Sequence, residues 1–263
     1  MTANVGVALA VRGARPVGAE SARLAFRQRR RGLLATAAAA VESFLLEPAE
    51  PRLATDPSLP REQRPVFCVF GLARGCGATV VARALAAELA TRDPAGAAAV
   101  SYETRPAGIP LATPAATRLA RALEDVPGAT PRAVGRLCLV SGADPLALSD
   151  TARYFAPLVI DAGSTALGGA PASVADRTVL VSAQAVEPAL ARVGAACIAR
   201  VGPEPIVVLN RAPHDQTSAM ALPNSPLGAQ LALGGREARG DLGRAIADLA
   251  DLCEGAAAAP TLG

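Results

Sequence analysis

One glycine-rich stretch and one carboxylate carry most of the chemistry this sequence can offer. The stretch is Gly71-Leu-Ala-Arg-Gly-Cys-Gly-Ala-Thr79, set between the apolar run Val66-Phe-Cys-Val-Phe70 and an Ala/Leu-rich run that starts at Thr79. Glycines let successive backbone N–H groups turn inward, and a helix beginning at Thr79 adds the partial positive charge of its N-terminus. Together these make a cradle for an anion such as a phosphate. A tight strand-to-helix turn in any doubly wound fold would also use one or two of these glycines, so the loop alone does not separate the two readings. The carboxylate is Asp161, which closes the apolar run Leu158-Val-Ile160 and is followed by Gly163. In open α/β sheets ligands bind beyond the carboxyl ends of the strands, so both features are expected at one edge.

Other chemistry is excluded or left without partners. All 26 basic residues are arginine. Without lysine there is no Schiff base, and no ammonium of the kind that grips a phosphate. His214 is the single histidine, which removes His-rich metal sites and argues against a His-dependent triad. Ser141, Ser164, Ser182 and Ser225 have no acid–base partners in view, and no Gly-x-Ser-x-Gly occurs. The five cysteines, Cys68, Cys76, Cys138, Cys197 and Cys253, include no CxxC pair and lie in apolar segments. They read as buried thiols of a reducing compartment. The acid pairs Glu124-Asp125 and Asp248/Asp251 read as solvated helix surface, and Asp176-Arg177 as a loop pair.

The elements that must position the loop follow from the pattern of apolar runs. Val66–Phe70, Ala97–Val100, Leu137–Val140, Leu158–Ile160, Thr178–Val181 and Ile206–Leu209 mostly lack polar alternation, which suits strands buried on both faces. Intervals of some 20–40 residues leave room for βα crossovers. Helices are predicted over 79–91, 114–124, 145–155, 187–199 and 237–253. The fold class is therefore α/β, a three-layer sandwich with a mainly parallel sheet. With 62 alanines and only 3% aromatics, its core is built from Ala, Val and Leu. The predicted organisation is a basic helical arm at 1–47, a Pro-rich linker at 48–64, the α/β domain at 65–255 and a flexible tail at 256–263.

The ordered set of motifs resembles the MinD/ParA branch of P-loop NTPases over about residues 65–253. That family's loop reads roughly Lys-Gly-Gly-x-Gly-Lys-Thr-Thr. Ala73-Arg-Gly-Cys-Gly-Ala-Thr-Val80 matches it at Gly75, Gly77 and Thr79. Leu158-Val-Ile-Asp-Ala-Gly163 resembles the Walker B strand, and Thr178-Val-Leu-Val-Ser182 the next one. Ile206-Val-Val-Leu-Asn-Arg211 resembles a strand whose terminal Asn reads the adenine edge. Leu222-Pro-Asn-Ser-Pro226 resembles the short base-side loop before the final helix. The resemblance implies a P-loop NTPase-like domain that binds ATP and Mg²⁺. Its nucleotide site would comprise Arg74, Gly75, Cys76, Gly77, Ala78, Thr79, Val80, Asp161, Gly163 and Asn210. Thr79 and Asp161 would hold Mg²⁺ when nucleotide is bound, and Glu103, in Ser101-Tyr-Glu-Thr104, is the one candidate for the acid that orients water. A homodimer is also implied.

The departures point to a degenerate member. The family's two lysine positions are Ala73 and Ala78, and the first glycine of its loop falls on Leu72, with Gly71 one residue early. Gly75-Cys-Gly-Ala-Thr-Val-Val-Ala82 looks closer to the CpaE/TadZ-like subgroup, which tolerates a small residue at the lysine position and places pilus-secretion or septum machinery. A charge-assisted hydrogen bond of the missing kind is worth roughly 1.5–3 kcal/mol, and more in a phosphoryl-transfer transition state. The expectation is a localisation or regulatory protein with weak or vestigial ATP binding and little or no hydrolysis, engaged with pilus assembly, septum placement or partitioning. The alternatives are a slow ATPase using Arg74 in place of lysine and a DNA-binding partition accessory.

The last alternative rests on the arm. Residues 1–32 hold seven arginines and one glutamate, while residues 65–263 hold 16 arginines and 17 acids. Any attraction to anionic lipid or DNA therefore belongs to Arg27, Arg29, Arg30 and Arg31, unless that cluster is a solvated helix face. No apolar run reaches 18 residues, and the N-terminus makes a poor signal peptide. The localisation expected is cytoplasmic, with the inner membrane face as a possible site of peripheral contact.

Overall fold

The computed structural model describes residues 63–102, 113–114, 118–141, 144–164, 167, 169–184, 186–212 and 220–257. The arm, most of the linker, the Arg27–Arg31 cluster, Glu103 and His214 lie outside the described residues.

The strands are β1 (Val66–Gly71), β2 (Ala97–Ser101), β3 (Thr113–Pro114), β4 (Thr130–Val134), β5 (Leu137–Ser141), β6 (Leu158–Gly163), β7 (Arg177–Ala183), β8 (Ile206–Ala212) and β9 (Met220–Pro223). They form one sheet in the order β3-β4-β5-β2-β6-β1-β7-β8-β9. From β5 to β9 every pairing is parallel; β4 runs antiparallel to both β3 and β5. The six strands predicted from apolar runs are all present. The edge elements are additions. β4 is exposed at every other residue and contains Pro131, a residue tolerated in strands near a sheet edge.

Helices cover both faces. Leu and Ala side chains of α1 (Ala78–Arg92), α6 (Pro226–Leu233) and α7 (Gly240–Ala257) meet Phe67, Val69, Val159, Val179 and Val181 on one side. On the other side α2 (Arg118–Glu124), α3 (Pro145–Ala152), α4 (Ala170–Val174) and α5 (Pro188–Ala199) meet Val66, Cys68, Phe70, Ile160 and Leu180. Alternate residues of β1 thus feed two separate cores, which makes three layers. The small side chains of α1 let it lie close over β2 and β6. All five cysteines are free, and four of them are buried.

Four sequence expectations change. Pro114, the predicted start of the second helix, lies in β3, and that helix is described over Arg118–Glu124. Leu222–Pro226 is not simply a loop: Leu222 and Pro223 end β9, and Ser225 caps α6 by accepting from the Gly228 N–H at 3.1 Å. The last helix continues to Ala257, past the predicted start of a flexible tail. Asp176 is more than a loop residue: it accepts the Val66 N–H at 2.7 Å and pairs with Arg153 at 3.0 Å.

Candidate functional site

β1 brings the chain to the carboxyl edge of the sheet at Gly71. Leu72 still donates its N–H to Val181 at 2.9 Å, and its side chain lies against Gly194 of α5. The loop proper is therefore Ala73–Gly77. Ala73, Arg74 and Gly75 are exposed. The Cys76 N–H donates to the Ala73 carbonyl at 3.3 Å, and the Cys76 side chain turns inward and is buried.

Two glycines are needed for this path. Gly77 is the N-cap of α1 at φ 94 and ψ 20, a left-handed conformation that L side chains rarely adopt. A Cβ there would also meet Asn210 Nδ2 at 2.1 Å. Gly75 has φ 79, with nothing within 4 Å of the position a Cβ would take. The backbone over Gly75 is open to approach from outside. No side chain among the described residues caps α1, so its first-turn amides, at Ala78, Thr79 and Val80, lack the side-chain acceptor that commonly satisfies them.

Ala78 is buried, and Thr79 and Val80 are half-buried. At Ala78, where the family resemblance would place a phosphate-gripping lysine, this chain thus has a covered methyl group. Arg74 is exposed beyond the turn.

Asn210 and Asp161 are both drawn to this edge, by similar devices. β8 carries one extra residue, Arg211, against β9, with φ 59. Asn210 precedes it, is buried, and accepts the Arg211 N–H at 2.9 Å. Its amide Nδ2 donates to the Cys76 carbonyl at 2.8 Å. The side chain that the family resemblance assigns to an adenine edge is here engaged by the glycine-rich loop. β6 likewise carries one extra residue against β1, since Val69 pairs with Asp161 and Phe70 with Gly163. Asp161 is buried and accepts the Gly163 N–H at 3.2 Å, while Gly163 itself sits at φ 62. Asp161 and the loop therefore lie at one edge, on adjacent strands.

The residue that sequence reasoning missed is Arg83. It is buried on α1, one helical turn beyond Thr79, and its Nη1 donates to the Leu233 carbonyl at 2.6 Å, at the end of α6. With Ala82, Ser101 and Asp161 it lines a cavity of about 20 Å³, room for one water. Burial lowers the pKa of the guanidinium, and the Asp161 carboxylate opposes that by favouring its charge. Burial, with a further contribution from Asp161, pushes the Cys68 thiol well up. Nothing in the sequence singles out Arg83: Val80, Ala86 and Ala87 are apolar neighbours at helical spacing, but Thr79, four residues earlier, is polar.

The divalent cation implied by the resemblance does not fit these residues. Asp161 accepts the Gly163 amide and shares its cavity with the Arg83 guanidinium, so a cation beside it would meet a charge of its own sign. Among the described residues no group of three or more His, Cys, Asp or Glu side chains could hold a metal. No helix there is long and apolar enough to cross a membrane.

No protein-family model matches the chain, and no curated protein matches it. Solved structures do. It is similar to a ParA family ATPase from Chlorobium tepidum at 15% identity and a TM-score of 0.50, over 71% of this chain and 98% of that one. It is similar to the MinD cell division protein of Aquifex aeolicus at 14% identity and a TM-score of 0.51, over 73% and 97%. A third match, at 15% identity and a TM-score of 0.47 over 74% and 97%, is the septum site-determining protein MinD from Pyrococcus horikoshii, complexed with Mg-ADP. The shared feature is the fold: the α/β sandwich of the ParA/MinD type of P-loop NTPase.

Proposed function

We propose that this domain is a degenerate relative of the ParA/MinD NTPases whose glycine-rich loop binds the phosphates of a nucleotide without hydrolysing it. The observation that carries the reading is a contrast inside one loop. The cradle is retained, with Gly75 and Gly77 in left-handed conformations and an uncapped helix N-terminus behind them. The cation is lost, because Ala78 offers only a buried methyl group. A cradle of amides binds an anion, but phosphoryl transfer needs positive charge over the moving group.

On this reading the protein works as a CpaE/TadZ-like localisation or regulatory factor, in pilus assembly, septum placement or partitioning. Nucleotide occupancy sets the surface that a homodimer presents. The basic segment around Arg27–Arg31 supplies contact with anionic lipid or DNA, since the net charge of +6 in residues 1–32 contrasts with −1 in residues 65–263. Titration of ATP and ADP into the full chain, with phosphate release followed in parallel, tests the central statement. Weak binding without release above the buffer rate is expected. No binding of either nucleotide would reduce the loop to a structural turn, and sustained release abolished by Arg74→Ala would make the protein a slow ATPase.

A further inference from the structure

Arg83 and Asp161 are buried charges on facing elements. A guanidinium does not shed its proton inside a protein, so a buried arginine is a permanent positive charge that must be answered locally. Two groups among the described residues bear on Arg83. The Leu233 carbonyl accepts from Nη1 at the C-terminal end of α6, where carbonyl groups carry partial negative charge. Asp161 stands across the shared cavity and acts on the guanidinium electrostatically. Arg83 lies four residues beyond Thr79, hence on the same face of α1. A positive charge is thereby fixed one turn beyond Thr79 and across the cavity from Asp161, the two residues to which the resemblance would give a metal ion.

We propose that Arg83 is the built-in counter-charge of Asp161, that it replaces the divalent cation, and that the loop accepts its nucleotide in the metal-free form. The ligand class follows from the charges. A nucleoside di- or triphosphate without Mg²⁺ is more anionic than its magnesium complex. It meets an amide cradle backed by an arginine, and among the described residues the one carboxylate beside that arginine is Asp161. The statement about the ligand rests on the nucleotide reading above; the statement about Arg83 and Asp161 does not.

The test uses the full chain and four proteins: the wild type, Arg83→Leu, Asp161→Asn and the double variant. Urea midpoints are measured for each in saturating Mg²⁺ and in EDTA. The wild-type midpoint is expected to be the same in both. Each single variant should be strongly destabilised, and the double variant should be more stable than the sum of the two losses allows, which is the signature of coupled partners. Mg²⁺ should raise the midpoint of Arg83→Leu, whose carboxylate is released, and leave the double variant unmoved. Additive losses, or a wild-type midpoint raised by Mg²⁺ and no longer raised in Asp161→Asn, would overturn the proposal. Should the single variants fail to fold, binding of a fluorescent ADP analogue and of Mn²⁺ to the wild type decides. Binding of the analogue in EDTA at least as tight as in Mg²⁺, with no Mn²⁺ bound, supports the proposal. Binding of the analogue only with Mg²⁺, or of Mn²⁺ itself, overturns it while leaving the nucleotide reading intact. Failure of the analogue under both conditions removes the nucleotide reading, and the absence or presence of bound Mn²⁺ still decides for or against Arg83.

Discussion

The two ends of β1 solve opposite problems. At the amino end the backbone is fastened by charge. The Val66 N–H goes to the Asp176 carboxylate at 2.7 Å, and the Asp176 N–H returns to the Val66 carbonyl at 2.8 Å. Arg153 pairs with Asp176 and also donates to the Val174 carbonyl at 2.6 Å, while Arg64 pairs with Asp93 at 3.3 Å. These contacts tie β1 to the start of β7, to the end of α3 and to the end of α1. At the carboxyl end the polar side chains serve the backbone instead: Asn210 holds the Cys76 carbonyl and Asp161 takes the Gly163 amide. What remains at that end is exposed backbone over Gly75. Charged pairs at one edge hold the sheet in register. At the other edge, glycines and bulges keep peptide groups within reach of something that approaches from outside.

Substitutions sharpen this contrast, beginning with the largest effect. Gly77→Ala should cost about 3 kcal/mol, combining the left-handed backbone penalty with the displacement of Asn210 and the loss of its hydrogen bond. A urea unfolding curve gives the value, and a loss below about 1 kcal/mol would mean that Asn210 moves aside freely. Asp176→Ala should cost about 1–2 kcal/mol. It removes the acceptor of a β1 amide, but its ion pair is partly solvated and is discounted for screening. Its effect on nucleotide binding should be nil, and a measurable change in affinity would break the separation of the two ends. Gly75→Ala should cost about 1 kcal/mol in stability, from its positive φ alone, because no atom crowds the new methyl group. It should nonetheless weaken ADP binding more than it weakens the fold, since the methyl group projects into the open approach to the loop. Equal losses in both would place the ligand elsewhere.

Much of this was readable from the chain. Val66–Phe70 and Leu158–Ile160 are apolar throughout because both faces of the sheet are covered, and the glycine-rich loop follows β1 as its composition implies. The short edge elements were not readable. β9 has only four residues and α4 only five, too few for a period to declare itself. α6 did have a signal, Ser225 followed by Pro226 at the first helical position, but that stretch also resembles a short loop of the MinD/ParA family. At the site, Asp161 and Asn210 stand out through the resemblance of their strands to those of the MinD/ParA family. The bulges that fix their side chains depend on pairing with neighbouring strands, which no local pattern encodes. Arg83 looked like one more arginine in a protein with 26 of them. Its burial follows from how closely an alanine-rich helix approaches the sheet, a tertiary fact.

The central claim is that the loop faces phosphate and lacks only its cation. Calorimetric titration of ADP into the wild type and into Ala78→Lys, both in EDTA, tests it most directly. A restored ammonium should contribute a charge-assisted hydrogen bond of roughly 1.5–3 kcal/mol, so the account predicts weak binding by the wild type and binding about 10–100-fold tighter by the variant. Equal affinities, or no binding by either protein, would contradict it and leave the loop as a turn between β1 and α1.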